Sequence, residues 1–127
     1  MSPEATALWD RALKALEAAK ILVDIDADGA ASRAYYAAFY AVSALFALEG
    51  TTFTKHTSVA AAVHRDLVRA GRWGEDLGQA YSWLMRLRQT GDYGQGVRVR
   101  ADEARQAIAK AASIVRATKE ASGGLLP

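Results

Sequence analysis

The chain of 127 residues has no cysteine. Disulfides and thiolate chemistry are therefore excluded, and a reducing compartment is compatible. No run of alternating β-branched residues calls for a sheet. The opening MSPEATALWD has no basic segment followed by an apolar one, so no signal peptide is read there and a cytoplasmic protein is expected. Histidine is nearly absent too. His56 and His64 are separated by a helix start, and without a cysteine to complete a site neither a metal nor a cofactor is expected. No Gly-x-Ser-x-Gly elbow presents a nucleophile. Gly91, Gly94 and Gly96 follow no strand, so they are no dinucleotide fingerprint.

What the chain has in quantity is alanine at helical spacing. Half of the residues are hydrophobic, and alanine, the best helix former, supplies much of that half. An all-α fold follows, as one domain over residues 1–127 that buries about two-thirds of its unfolded surface. The organising stretch is Ala30 to Leu48, AASRAYYAAFYAVSALFAL, in which Arg33 is the only charge. Arg33, Ser32, Ser43 and the tyrosines argue against membrane insertion. A helix apolar on nearly every face is then a central helix with others packed around it. Tyr35, Phe39, Val42 and Phe46 share one face, with Phe39 expected at the bundle centre, and Tyr36 and Tyr40 share the next.

The other helices are read by their stripes and punctuation. Ser2, Pro3 and Glu4 start a first helix whose apolar stripe is Ala5, Leu8, Trp9, Ala12, Leu16, Ala19 and Val23. Asp24 to Gly29 ends it, and Asp28 is the expected cap of the core helix. Gly50 closes the core helix as a left-handed residue. Thr57 or Ser58 caps a third helix along Ala60, Val63, Leu67 and Ala70, ended by Gly71. A fourth carries Leu77, Ala80, Tyr81, Leu84 and Leu87. A fifth starts near Ala101 with Ala104, Ile108, Ala111 and Val115 inward. The glycines from Gly91 to Gly96 interrupt the pattern between these last two, and a frayed tail is expected from Ser122 to Pro127.

The net charge of +2 identifies no partner, but its distribution is uneven. Arg86, Arg88, Arg98 and Arg100 face only Asp92 in their stretch, which reads either as a solvated loop or as an anion site. Arg88 follows Tyr81 and Leu84 on the edge of the buried face, whereas Arg86 belongs with Ser82 and Trp83. Arginine suits a phosphate through bidentate, charge-assisted hydrogen bonds. Tyr93 can stack on a base or donate its hydroxyl. The plainer reading is an Arg88–Asp92 pair at i, i+4 that fastens the helix end, with Tyr93 packed on the core.

Arg33-Ala34-Tyr35-Tyr36-Ala37-Ala38-Phe39, then Lys55-His56, then Arg88-x-x-Gly91-Asp92-Tyr93-Gly94 resemble the HEPN domain, in particular its small stand-alone branch. The resemblance runs from Leu16 to Val115. It implies an up-and-down bundle of four main helices with a short extra one, paired as a homodimer. It also implies a prokaryotic toxin–antitoxin or defence setting beside a minimal nucleotidyltransferase. Ribonuclease members carry an arginine, four to six residues, and a catalytic histidine. Here Arg88 matches the arginine, Tyr93 stands where the histidine falls in the four-residue spacing, and no histidine follows His64. Tyrosine, with a pKa of about 10, is a poor proton shuttle near neutrality.

The expected function is therefore that of a non-enzymatic HEPN-like module. It would bind a nucleotide, RNA or a partner nucleotidyltransferase through Arg88, Asp92, Tyr93, Arg98, Arg100 and His56, with no membrane involved. One alternative is a metal-independent ribonuclease in which Arg88 polarises the phosphate and His56 is supplied from another helix. A purely structural protein that masks a partner is another. Trp9, Trp73 and Trp83 are candidate interface residues for the dimer. Light scattering at micromolar concentration is expected to give about twice the chain mass; a clean monomer contradicts the pairing.

Overall fold

The computed structural model describes residues 2–127, which form five α-helices and, among those residues, no strand. The helices are α1 (Pro3–Leu22), α2 (Ala27–Leu48), α3 (His56–Ala62), α4 (Glu75–Tyr93) and α5 (Ala101–Ala121). A π-helical stretch, Val63–Val68, continues α3. The four long helices make the bundle, and α2 lies at its centre against α1, α4 and α5. No described helix is long and apolar enough to cross a membrane.

Alanine explains the central position of α2. Ala30, Ala31, Ala34, Ala37, Ala38, Ala41 and Ala44 are all completely buried, so three neighbours approach its backbone from different sides. Tyr35, Val42, Leu45 and Phe46 fill the larger gaps. Phe39 differs from the sequence expectation, being half-buried at the margin of the core rather than at its centre. Trp9 and Trp73 also lie in the core, 3% and 5% exposed, and so are not interface residues. Trp83 alone keeps a partly open face.

The helix ends show which punctuation was read correctly. Ser2 Oγ accepts a hydrogen bond from the Ala5 amide at 3.1 Å, as a cap should. Gly50 closes α2 with φ +93°, and Gly71 follows the π-helical stretch at φ +79°. The cap of α2 is Asp26, which accepts from the Gly29 amide at 2.9 Å, so Asp28 is released for another task. His56 begins α3 with no side-chain cap from Thr57 or Ser58. Gly91, Asp92 and Tyr93 do not interrupt α4 but form its last turn. In α5, Ala107 and Ile114 take the inward positions while Ile108 sits at the edge.

The C-terminal tail is packed rather than frayed. Leu126 is completely buried, and its amide donates to Ser122 Oγ at 3.1 Å. The left-handed Gly123 and Gly124 turn the chain back to place it there. The core assignment makes Leu45→Ala cost about 2–5 kcal/mol, while Ile25→Ala on the 79% exposed turn changes stability by less than about 0.5 kcal/mol. Urea titration checks both, and similar losses in the two variants contradict this core.

Candidate functional site

Arg88 projects from the last turns of α4 onto the tyrosine pair of α2. Its side chain is 14% exposed and its Nε lies 2.9 Å from Asp92 Oδ2. The N–H is not aligned on that oxygen, so the contact is an ion pair without a well-formed hydrogen bond. Nη2 donates to the Tyr36 hydroxyl at 3.0 Å. The guanidinium carbon stands 5.6, 5.4 and 5.5 Å from the ring centres of Tyr35, Tyr36 and Tyr93. Cation–π attraction and one carboxylate therefore hold a charge that burial would otherwise penalise. Burial alone lowers the Arg88 pKa. The pull of Tyr36, Tyr93, Asp92 and Tyr35 outweighs it and keeps the group above the ordinary arginine value. Asp92 is the carboxylate among these neighbours.

His56 joins the same cluster from the start of α3. Its Nδ1 is 2.7 Å from the hydroxyl of the completely buried Tyr35, and its ring stacks on Phe39 at 4.4 Å. Burial, and then the positive charge of Arg88, lower its pKa. A Tyr35 hydroxyl that donates to Nδ1 puts the imidazole proton on Nε2. In that tautomer His56 presents a donor, not a base. Tyr81 lies behind Tyr35, its rings 6.1 Å away, with a buried hydroxyl that has no aligned partner among the described residues. Burial pushes the phenol pKa of both upward, Tyr81 furthest.

Asp92 and Tyr93, which flank Arg88, also line a concavity of about 340 Å³ together with Asp28 and the rest of residues 91–98. Asp28 is the element the sequence reading misplaced. Its carboxylate accepts from the Val99 amide at 2.8 Å and pairs with Arg98 at 3.0 Å, fastening the 94–100 loop to the start of α2. Gly91 makes this approach close, since a Cβ there would lie 3.2 Å from the Asp28 carbonyl; at Gly94 a Cβ would run into the Thr90 carbonyl, so glycine there lets the chain turn out of α4. Tyr93 is 67% exposed on the rim and is not packed on the core.

The expected residues thus divide. Arg88, Asp92, Tyr93 and His56 belong to one continuous cluster, and Arg98 reaches the opposite wall of the concavity. Arg100 does not join them: it points back to Asp102, with Nε 3.0 Å from Oδ1, in the first turn of α5. The basic excess also shrinks in three dimensions, because Asp92, Asp28 and Asp102 pair with Arg88, Arg98 and Arg100, which leaves Arg86 without an ion pair among the described residues. Sequence reasoning assigned Tyr35 and Tyr36 to the core and overlooked their part in the site. Their adjacency, which puts one ring on each of two neighbouring helix faces, was the available signal.

A central helix apolar all round, an arginine near the end of a following helix and a histidine from a short helix between them define a HEPN-type bundle. The profile of the HEPN domain matches residues 5–121, and the chain belongs to that family. A "UPF0332 protein" of Thermotoga maritima is 37% identical over 111 residues, covering 87% of this chain and 84% of the relative. Another "UPF0332 protein", from Gloeobacter violaceus, is 36% identical over 95 residues, 74% of this chain and 75% of its own. A "Putative toxin" of Methanocaldococcus jannaschii is 28% identical over 114 residues, 89% of this chain and 78% of its own.

The His56 environment has a pH signature. Its folded pKa lies below the value of about 6.5 expected in the unfolded chain. Its contribution to stability is then complete above pH ~6.5 and is lost as pH falls through the folded value. Urea midpoints should decline between about pH 7 and 5 more steeply in the native sequence than in His56→Asn, which isolates His56 from His64. Equal slopes contradict the assignment.

Proposed function

We propose that the chain is a non-enzymatic HEPN module of a toxin-related system that binds RNA or a nucleotide at the Arg88 cluster, in contact with a partner nucleotidyltransferase. The observation that carries this reading is the state of the Arg88 guanidinium. One of its three nitrogens has an aligned hydrogen bond, to Tyr36, while Asp92, its one carboxylate partner among the described residues, lines the adjoining concavity. Such a group has donors to spare for a phosphate, and a phosphate accepts them in the bidentate manner arginine favours. Tyr93, exposed and beside Arg88, supplies a stacking face or a hydroxyl. The setting rests on membership of the family and on the similarity to the protein named as a putative toxin. A homodimer and a nucleotidyltransferase partner come from the family resemblance.

The ribonuclease reading has one observation in its favour, the convergence of His56 on Arg88 through Tyr35 and Tyr36. Against it stand the depressed pKa of His56 and the engagement of Nδ1, which leave no free basic nitrogen when Tyr35 is the donor. Cleavage of single-stranded RNA by purified protein, lost in His56→Asn, decides for the nuclease.

The binding reading predicts that Arg88→Lys and Tyr93→Phe melt within a few degrees of the native protein. Both should weaken binding of a single-stranded oligoribonucleotide by about 1–3 kcal/mol, roughly 5- to 150-fold. Lysine loses the fork geometry, and phenylalanine loses the hydroxyl. Melting curves and titrations on the same samples provide the comparison. Unchanged affinity in both variants rules out this site.

A further inference from the structure

A second concavity lies away from the Arg88 cluster, between the π-helical stretch, α4 and α5. It has a volume of about 500 Å³, within the range of small-molecule sites. From α4 it takes Asp76, Gln79, Ser82, Trp83 and Arg86, residues that recur at three- and four-residue spacing and so share one helix face. His64 enters from the π-helical stretch and Lys110 from α5.

Three features distinguish this wall from an ordinary solvated face. First, His64 Nε2 and Ser82 Oγ are 2.9 Å apart, joined across two elements. Gly78 permits that approach, since a Cβ there would lie 2.8 Å from Val68 Cγ2 and 3.3 Å from the His64 ring. The irregular hydrogen bonding at the same point, with the Arg69 amide donating to the His64 carbonyl at 3.0 Å, sets the ring's direction. Second, Lys110 is held over the half-buried Trp83 ring, 5.1 Å from its centre, so its position is fixed without a carboxylate. Third, Arg86 and Lys110 line the same concavity, and neither forms an ion pair among the described residues. Two cations left without acidic partners in one concavity form an anion-binding end.

The charge is graded along the site. Asp76, the acidic residue of the wall, is ten residues before Arg86 and thus about 15 Å away along α4. The middle holds the hydrogen-bonding groups of Gln79, Ser82 and His64. We propose that this concavity binds the phosphate monoester of a sugar. The phosphate lies at Arg86 and Lys110, and the sugar hydroxyls face Ser82, His64 and Gln79. A free sugar phosphate and a nucleotide share this chemistry. The site stands independently of the Arg88 reading, since it shares none of its residues.

The test is titration of the full chain with ribose 5-phosphate, adenosine monophosphate and inorganic phosphate, followed by tryptophan fluorescence and calorimetry. Trp83 is the responsive reporter because Trp9 and Trp73 are buried elsewhere. At least one of the two esters should bind more tightly than inorganic phosphate by about tenfold or more, and the tighter of the two identifies the source. R86Q and K110Q should each weaken that binding by about tenfold, whereas R116Q, which removes one charge outside the wall, should not. Ser82→Ala should reduce the preference for the ester over inorganic phosphate. Arg86 is exposed and the Lys110 charge lies over Trp83, and melting curves on the same samples check that both variants fold. No ester binding at about 10 mM, equal affinity for inorganic phosphate, or equal losses in R116Q overturns the proposal.

Discussion

Everything in this bundle depends on one constraint, that α2 must be covered on almost all of its sides. Its alanines have little side chain to separate it from its neighbours, so α1, α4 and α5 pack close to its backbone. Close packing of that kind leaves little room for large aromatic rings. Tyr35 is accommodated with its hydroxyl hydrogen-bonded to His56. Tyr36, one residue on, falls at the margin and presents its hydroxyl to Arg88. The site is therefore a consequence of how the core helix runs out of buried surface. Its two tyrosines belong to both.

The electrostatics follow from the same geometry. A guanidinium 14% exposed needs compensation, and here it receives a misaligned carboxylate, a phenol and three ring faces. That combination keeps Arg88 charged while leaving hydrogen-bonding capacity unused. The positive charge in turn helps to keep His56 neutral. Arg98 and Arg100, equally basic in the sequence, are exposed and matched by Asp28 and Asp102. Exposed arginines of that kind steer weakly at physiological salt. The burial of Arg88, not the number of arginines around it, sets it apart.

Much of this was legible in the residues. Helical periodicity located all five helices, and the Tyr81–Leu84–Arg88 spacing placed Arg88 at the edge of the buried face. The Arg88–Asp92 pair followed from i, i+4 spacing alone. The errors have physical causes. Glycine was read as a breaker at Gly91, where its lack of a side chain instead admits the Asp28 backbone beside a continuing helix. Asp28 and Asp26 both fall in the turn before α2, and it is Asp26, not the expected Asp28, that occupies the capping geometry. Phe39 lies on the same helical face as Tyr35 and Val42. Periodicity gives a direction but not a depth, and Phe39 stays half-buried against His56 at the margin of the core while Tyr35 and Val42 on either side of it are buried. The salt partners of Arg98 and the burial of Leu126 depend on long-range contacts that no local pattern encodes.

The central claim is that Asp92 is an internal counter-ion which an external phosphate competes with or displaces at Arg88. Asp92→Asn probes it directly, because it removes the negative charge and keeps the shape. Affinity for a single-stranded oligoribonucleotide, measured for native and Asp92→Asn protein at the same ionic strength, is the decisive quantity. The account predicts tighter binding in the variant, by about 1 kcal/mol or more, with a small loss of stability as Arg88 loses its partner. Weaker binding in a variant that remains folded contradicts it, and would make Asp92 part of the binding surface rather than a competitor for it.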